Sequence, residues 1–201
     1  MTKKTIHLIR HAESSANVAG IVCGSLDYPL TDLGRKHALS LSQAFPFQAI
    51  SSLPCFTSDL IRATETAKLL GFSEVRALAG LRETNTGRSS TLKTSEFQIK
   101  HPQFNHHETN LDERYQDGET TREMISRSWA TFKQIIEPEL EVSNEIVIVA
   151  HGGPLNAIAG RLLKAEFDAF PMFLFKNLSI MTLIKPTQIK THWVMDLFHA
   201  P

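Results

Sequence analysis

Glu145-Ile146-Val147-Ile148-Val149-Ala150-His151-Gly152-Gly153 is the stretch whose reading decides the fold. Residues 146–150 are apolar at odd and even positions alike, so a strand formed here must bury both of its faces, as a parallel strand covered by helices does. Leu155 to Leu163 follows at once with helical spacing. A second unit of this kind opens the chain, where Thr5-Ile6-His7-Leu8-Ile9-Arg10 reads as a strand that runs into His11. Between the two, Thr31 has the chemistry of a helix N-cap, with Ala38, Leu41, Ala44 and Phe45 behind it at helical spacing. Ile50 to Phe56 reads as a short strand, and Ser58 as the cap of a helix running to about Leu70, with Gly71 as its stop. From Thr120 to Leu140 one apolar stripe carries Met124, Ile125, Trp129, Phe132, Ile135 and Ile136, and Pro138 is expected to end or kink that helix. Leu178–Ile184 and Ile189–Leu197 read as two final strands. Strands alternating with helices predict an α/β three-layer sandwich, a mostly parallel central sheet flanked by helices. Residues 84–119 break the rhythm: they are polar, rich in Ser, Thr, Asn and His, and are read as an irregular, cap-like insertion over the site within a single domain spanning 1–201.

Composition narrows the function classes. A formal net charge of zero argues against a nucleic-acid partner or a membrane-surface protein, which usually carry a basic excess. The apolar fraction of 42% is that of an ordinary globular chain, and Lys176 and Asn177 break the most apolar late segment before it reaches the length of a membrane span. Two cysteines, Cys23 and Cys55, make no disulfide framework, and the first residues lack an apolar leader, so a cytoplasmic location is expected. A homodimer is left open.

Two histidines stand where reactive groups collect in such a fold, at the C-terminal ends of strands: His11 and His151. Arg10 beside His11 sets a fixed cation next to a neutral nucleophile or base, and Gly152 and Gly153 let backbone approach a ligand closely. Arg62, on the predicted helix after Ser58, is placed to swing toward the same strand ends. Two arginines and two histidines would form an anion clamp whose natural guest is phosphate, because guanidinium forks match its oxygens. A leaving group then needs an acid, and Glu83 is the carboxylate chosen.

The run Arg10-His11-Ala12-Glu13-Ser14, with Asn17, resembles the R-H-G-E-S/T-x-x-N signature of the histidine phosphatase (phosphoglycerate mutase-like) superfamily. Gly24-Ser25-Leu26-Asp27-Tyr28-Pro29-Leu30-Thr31-Asp32-Leu33-Gly34 resembles that family's G-x-x-D-x-P-L-T-x-x-G. The Ser58–Ala67 segment, Glu83, Gly118-Glu119-Thr120, His151-Gly152-Gly153 and Asn177-Leu178-Ser179-Ile180 continue the match in order. The resemblance implies that His11 attacks phosphorus, and that Arg10, Asn17, Arg62, His151 and Gly152 bind the phosphoryl group. It also implies that Glu83 protonates the departing oxygen and then activates water, with no metal and no cofactor. The implied activity is hydrolysis of a small phosphorylated metabolite through a phosphohistidine on His11.

Single residues have duller readings. Arg62 alone would pair with Asp59 or Glu65 on its own helix, and Glu13 would either help orient the site or serve at the surface or on the backbone. Asp27, Pro29 and Thr31 fit turn and cap chemistry. His101, His106 and His107 lie in a polar stretch without metal-ligand spacing, and His7 and His11 on one strand stand roughly 13 Å apart, too far for one ion. Neither cysteine has an arginine six residues later, and there is no phosphate loop or serine elbow. Phosphoglycerate mutases of the family follow their glutamate with an Arg-His-Tyr-Gly-like run; Thr84-Asn85-Thr86-Gly87 here favours hydrolysis. Mutase-type transfer is the first alternative and a non-catalytic phospho-ligand-binding or regulatory protein the second. The G-x-W-E-G run of many small family phosphatases is also absent, which leaves the substrate open, with Arg88 and Lys93 as candidates to meet a second anionic group.

Overall fold

The computed structural model describes residues 2–44, 47–104, 110–166, 170–188 and 192–196. Strand β1 is Lys4–Arg10, followed by α1 (Ser15–Ala19), α2 (Asp32–Ser42), α3 (Phe47–Ile50), β2 (Cys55–Ser58), α4 (Ile61–Leu69) and β3 (Val75–Leu78). Then come α5 (Thr94–Lys100), α6 (Thr121–Thr131), α7 (Glu137–Ser143), β4 (Glu145–Ala150), α8 (Gly152–Leu162), β5 (Ile180–Lys185) and β6 (Val194–Asp196). The strands form one six-stranded sheet in the order β3-β2-β4-β1-β5-β6, with β5 antiparallel to both of its neighbours and β1 to β4 mutually parallel. This is the mixed α/β architecture that the alternating pattern predicts.

The two-faced apolar run of β4 explains the layering. Ile146, Ile148 and Ala150 join Ile6, Leu8 and Phe56 in a core closed by Phe132, Ile136 and Leu140 and by Leu155 and Ile158 of α8. Val147 and Val149 point the other way, joining Ile9, Cys55 and Ala38 of α2, with Ala67 and Leu70. All five apolar residues of β4 are fully buried, each large one contributing about 1.5–3 kcal/mol.

Several local expectations are corrected. Ile50 ends α3 rather than opening a strand, and β2 starts only at Cys55, past Pro54, which has no N–H for the ladder. Ser58 is the last residue of β2: its hydroxyl accepts from the Leu60 amide at 3.3 Å, making a local turn, and α4 begins at Ile61. Asp27 does the capping instead, its Oδ1 accepting the Ile61 N–H at 2.7 Å. Pro138 does not end its helix. A π-helical turn over Phe132–Ile136 absorbs the misfit, so the proline falls in the first turn of α7, where a missing N–H is tolerated. The edge strand β3 escapes the pattern because Val-Arg-Ala-Leu is only half covered. Of the expected Ile189–Leu197 strand, Val194–Asp196 forms β6; residues 189–191 and 197 lie outside the described residues, as do His106 and His107.

The insertion is more ordered than its composition suggests. It holds α5 and short 3-10 turns at Gly87–Ser89 and Pro102–Phe104, and is stitched to the α1 loop by Val22 N–H to Leu92 O (2.9 Å) and Thr91 N–H to Val22 O (3.0 Å). Among the described residues no helix is long and apolar enough to cross a membrane.

Candidate active site

Parallel pairing of β1 with β4 puts Arg10 opposite Ala150, so the residues that follow, His11 and His151, leave the sheet side by side. The His11 amide donates to Ala150 O at 3.0 Å, and the two ring centroids stand 5.0 Å apart at 60°. Both rings are buried. Nδ1 of His11 lies 2.7 Å from Ala12 O; a carbonyl only accepts, so Nδ1 carries the proton and Nε2 keeps its lone pair. Burial, reinforced by Arg62 and Arg10, brings His11 down to about 3, so the ring is neutral at physiological pH. His151 is likewise held well below the usual histidine range, by burial first and then by Arg62, His11 and Arg10.

Arg62 is the second residue of α4, because the helix starts at Ile61, later than a Ser58 cap would set it. It is 1% exposed and pairs with neither Asp59 nor Glu65: its two terminal nitrogens donate to Leu26 O (2.7 Å) and Gly24 O (2.9 Å). Asp59 binds Arg82 in bidentate fashion, and Glu65 binds Arg35. Arg10 donates to Phe175 O at 2.5 Å. These partners are all carbonyls, which orient the guanidinium groups without cancelling their charge. Nε of Arg10, Nε of Arg62 and both ring nitrogens of His151 are buried and have no partner in the protein. The Nε–H groups of Arg10 and Arg62 and the single N–H of neutral His151 are three buried donors beside His11, costly unless an acceptor such as an anion completes them.

Asn17 joins the cluster through its oxygen, which accepts from the Ser14 amide (3.0 Å), the Ser14 hydroxyl (3.0 Å) and Asn177 Nδ2 (3.2 Å); its NH2 is the end left for a ligand. The Glu13 carboxylate accepts from a side chain, Thr31 Oγ1 at 2.6 Å, tying the loop to the α2 cap. Glu83 reaches the N-terminus of α8, Oε2 accepting the Gly153 amide at 3.1 Å and Oε1 the Thr84 amide at 2.8 Å. A Cβ on Gly153 would stand 2.3 Å from Glu83 Oε1, so glycine is what admits the carboxyl group. Gly152 has more room, with Glu83 Oε2 3.8 Å from its ideal Cβ.

Sequence reasoning missed part of the surround. Arg127 donates to Gly80 O (3.0 Å), Glu83 O (2.9 Å) and both oxygens of Glu119 (2.9 and 2.7 Å), fixing the backbone that carries the acid. Asn177 bonds His11 O at 2.9 Å as well as Asn17. Cys23, whose thiol burial pushes up, lies in the field of Arg62, Glu83 and Arg10. The roles of Arg127 and Asn177 escape local sequence because Gly80, Glu83, His11 and Asn17 lie 44 or more positions from them, while Glu119 and Asn177 were read only as parts of motifs. Arg88 and Lys93, the candidates for a second anionic group, both have partners within the protein. Arg88 is paired with Asp117, and Lys93 donates to Ala19 O at 2.5 Å.

Known proteins share the sequence pattern and the fold. The family model of the histidine phosphatase superfamily (branch 1) matches residues 6–195. Among curated relatives, human 6-phosphofructo-2-kinase/fructose-2,6-bisphosphatase 1 is 26% identical over 194 residues, covering 94% of this chain and 38% of that protein. The chain thus spans well under half of that relative's length. The 2,3-bisphosphoglycerate-dependent phosphoglycerate mutase of Bartonella tribocorum is 28% identical over 166 residues, 77% of this chain and 79% of that protein. Among solved structures, a mycobacterial glucosyl-3-phosphoglycerate phosphatase in complex with VO3 superposes with a TM-score of 0.81 at 28% identity, over 98% of this chain and 100% of that one. Matched over nearly its whole length and folded as these phosphatases are, the chain belongs to the histidine phosphatase superfamily.

Proposed function

We propose that the protein is a metal-independent phosphomonoester hydrolase that acts on a small phosphorylated metabolite through a phosphohistidine on His11. The observation that carries this reading is the set of unpartnered buried nitrogens on Arg10, Arg62 and His151 around a neutral imidazole whose Nε2 lone pair is free. Phosphoryl transfer asks for positioning and fixed positive charge, and two guanidinium groups match a dianionic phosphoryl.

The chemistry runs in two displacements. Nε2 of His11 bonds to phosphorus as the bond to the leaving oxygen breaks, and the Glu83 carboxyl group gives that oxygen its proton. Water then attacks the phosphohistidine, Glu83 takes its proton, the N–P bond breaks and inorganic phosphate leaves, restoring neutral His11. Arg10, Arg62, Asn17 and His151, with the backbone at Gly152, hold the phosphoryl oxygens throughout. The Nδ1–H bond to Ala12 O stabilises the ring as positive charge develops on it.

The test is phosphate release from a panel of phosphomonoesters in chelator, with wild type and His11→Ala. Chelator-resistant turnover that is lost in the variant, and a mass increase of one phosphoryl group on the peptide containing His11, are expected. Turnover surviving in His11→Ala would refute the nucleophile. Transfer to a second metabolite in place of water would move the reading to mutase chemistry, and phosphate binding without turnover would move it to a regulatory protein.

A further inference from the structure

Arg10 takes its bearing from a segment with little structure of its own. Among the described residues, its side chain has one hydrogen-bond acceptor, the Phe175 carbonyl. Phe175 belongs to the stretch 171–175 between α8 and β5, which is neither helix nor strand and makes no backbone–backbone hydrogen bond among the described residues. The Phe173 and Phe175 rings pack on the core, but ring packing alone does not aim a carbonyl.

Apart from the bond from Arg10, the hydrogen bonds to that backbone come from Asn156 of α8. Its Oδ1 accepts the Phe173 N–H at 2.7 Å and its Nδ2 donates to the Phe173 carbonyl at 2.9 Å, so one side-chain amide takes both polar groups of one residue. Nδ2 also donates to Gly152 O at 2.9 Å. One donor and two acceptors fix which end of the amide is which. Asn156 is 1% exposed, and its loss would leave the Phe173 N–H and two carbonyls unmade. It thus joins two parts of the site. On one side it holds the first turn of α8, which follows His151 and presents the Gly153 amide to Glu83. On the other it anchors Phe173, two residues before the carbonyl that holds Arg10. Nε of Arg10 and both ring nitrogens of His151 are buried without partners, so a single anion meets both groups only if their separation is set by the protein.

We propose that Asn156 is a positioning residue: through Phe173 and Phe175 it sets the Arg10 guanidinium against His151, so that one phosphoryl group meets both, and it touches no substrate itself. This rests on the reading of Arg10 and His151 as phosphoryl ligands in the hydrolase proposal above.

The experiment is a double-mutant cycle on the affinity of the whole chain for inorganic phosphate, read by NMR titration. Asn156→Ala is expected to weaken phosphate binding about tenfold, the worth of one charge-assisted hydrogen bond. In an Arg10→Ala background the same substitution is expected to cost less than about twofold, because the group it positions is gone. Ile158→Val, a truncation on the buried face of the same helix, is expected to lower stability and leave phosphate affinity unchanged. Equal weakening in both backgrounds, no weakening in the single variant, or as large an effect from Ile158→Val would overturn the proposal. If Asn156→Ala does not fold, the coupling is read without it. Phosphate is then expected to slow solvent exchange of the Phe173 amide in wild type and to leave it unchanged in Arg10→Ala. An amide indifferent to phosphate in wild type would overturn the proposal. Phosphate binding without turnover of any ester would remove the hydrolase reading and leave the cycle to decide the role of Asn156.

Discussion

Gly153→Ala separates the placement of the acid from the stability of the fold. The new Cβ would stand 2.3 Å from Glu83 Oε1 and 3.2 Å from Met124 Cε, whereas ordinary contact begins near 3.4 Å. Glu83 Oε1 must therefore retreat by about 1 Å, the difference between those two distances. It is the far end of a flexible side chain, so the retreat costs the fold little, and alanine inside α8 is favoured over glycine by roughly 0.5–1 kcal/mol. The melting temperature should stay near that of wild type. Catalysis is less forgiving: a misplacement of about 1 Å can cost on the order of 10²-fold, and general acid catalysis is worth about 10²–10⁴. The discriminating quantity is kcat/KM, which reports steps up to departure of the alcohol and not hydrolysis of the phosphoenzyme. For propyl phosphate, whose leaving group needs a proton, Gly153→Ala should lose about 10²-fold; for p-nitrophenyl phosphate, whose leaving group departs as a stable anion, less than about 10-fold. Gly152→Ala, with its Cβ 3.8 Å from Oε2, should show a much smaller difference between the two substrates. Equal losses on both esters in Gly153→Ala, or none on either, would refute Glu83 as the acid.

Other perturbations reach other parts of the site. His11 and His151 are held below the ordinary histidine value, so between about pH 6.5 and pH 3 the unfolded chain binds more protons than the native one and stability falls as pH is lowered. Above that window neither contributes, and His151→Asn should flatten the acid limb of a denaturation-versus-pH curve by up to one proton. Asp27→Ala removes the cap on α4 and should cost about 1 kcal/mol in urea unfolding while raising KM through Arg62. Arg127→Lys cannot reproduce the fork on Glu119 and the two carbonyls, and should lower stability by about 2 kcal/mol, read by the same titration, with kcat falling more than KM changes.

The sheet and its reactive pair were legible because their signals are local. Five apolar residues before His151 force a strand buried on both faces, and a strand ending at Arg10 puts His11 at the same edge of the sheet. What escaped depends on distance in sequence. Ser58 looked like a cap, yet the cap of α4 comes from Asp27, 34 positions before Ile61. Pro138 was expected to end or kink its helix; the chain stays helical past it, and the irregularity is a π turn at Phe132–Ile136, which has no compositional signature. Arg62 was found as a residue, but its helix is capped at Leu60, two residues later than the Ser58 cap implies, where a tertiary hydrogen bond allows. Arg127 lay in a helix read for its apolar stripe, and nothing in that stripe shows that its polar face holds the backbone of Glu83.

A chain of zero net charge can hold a strong anion site because its cations differ in what they are bound to. Outside the site, Arg35, Arg82, Arg88, Arg114 and Arg122 are each matched with carboxylates, which cancel their fields at short range. Arg10 and Arg62 are held by the carbonyls of Phe175, Leu26 and Gly24, which fix position and leave a whole positive charge in a buried, low-dielectric place. Burial and the same field keep His11 and His151 neutral, so the proposed nucleophile would be preserved by the charges that attract its target. Burial would make those two guanidinium groups a liability if nothing entered, and the loop carbonyls and the cap from Asp27 hold them there. Net charge could not reveal this, since the sum is indifferent to which cations are neutralised. The three-dimensional pairing decides it, and here it leaves uncancelled charge at the ends of β1 and β4, where a phosphoryl group would lie in line with Nε2 of His11.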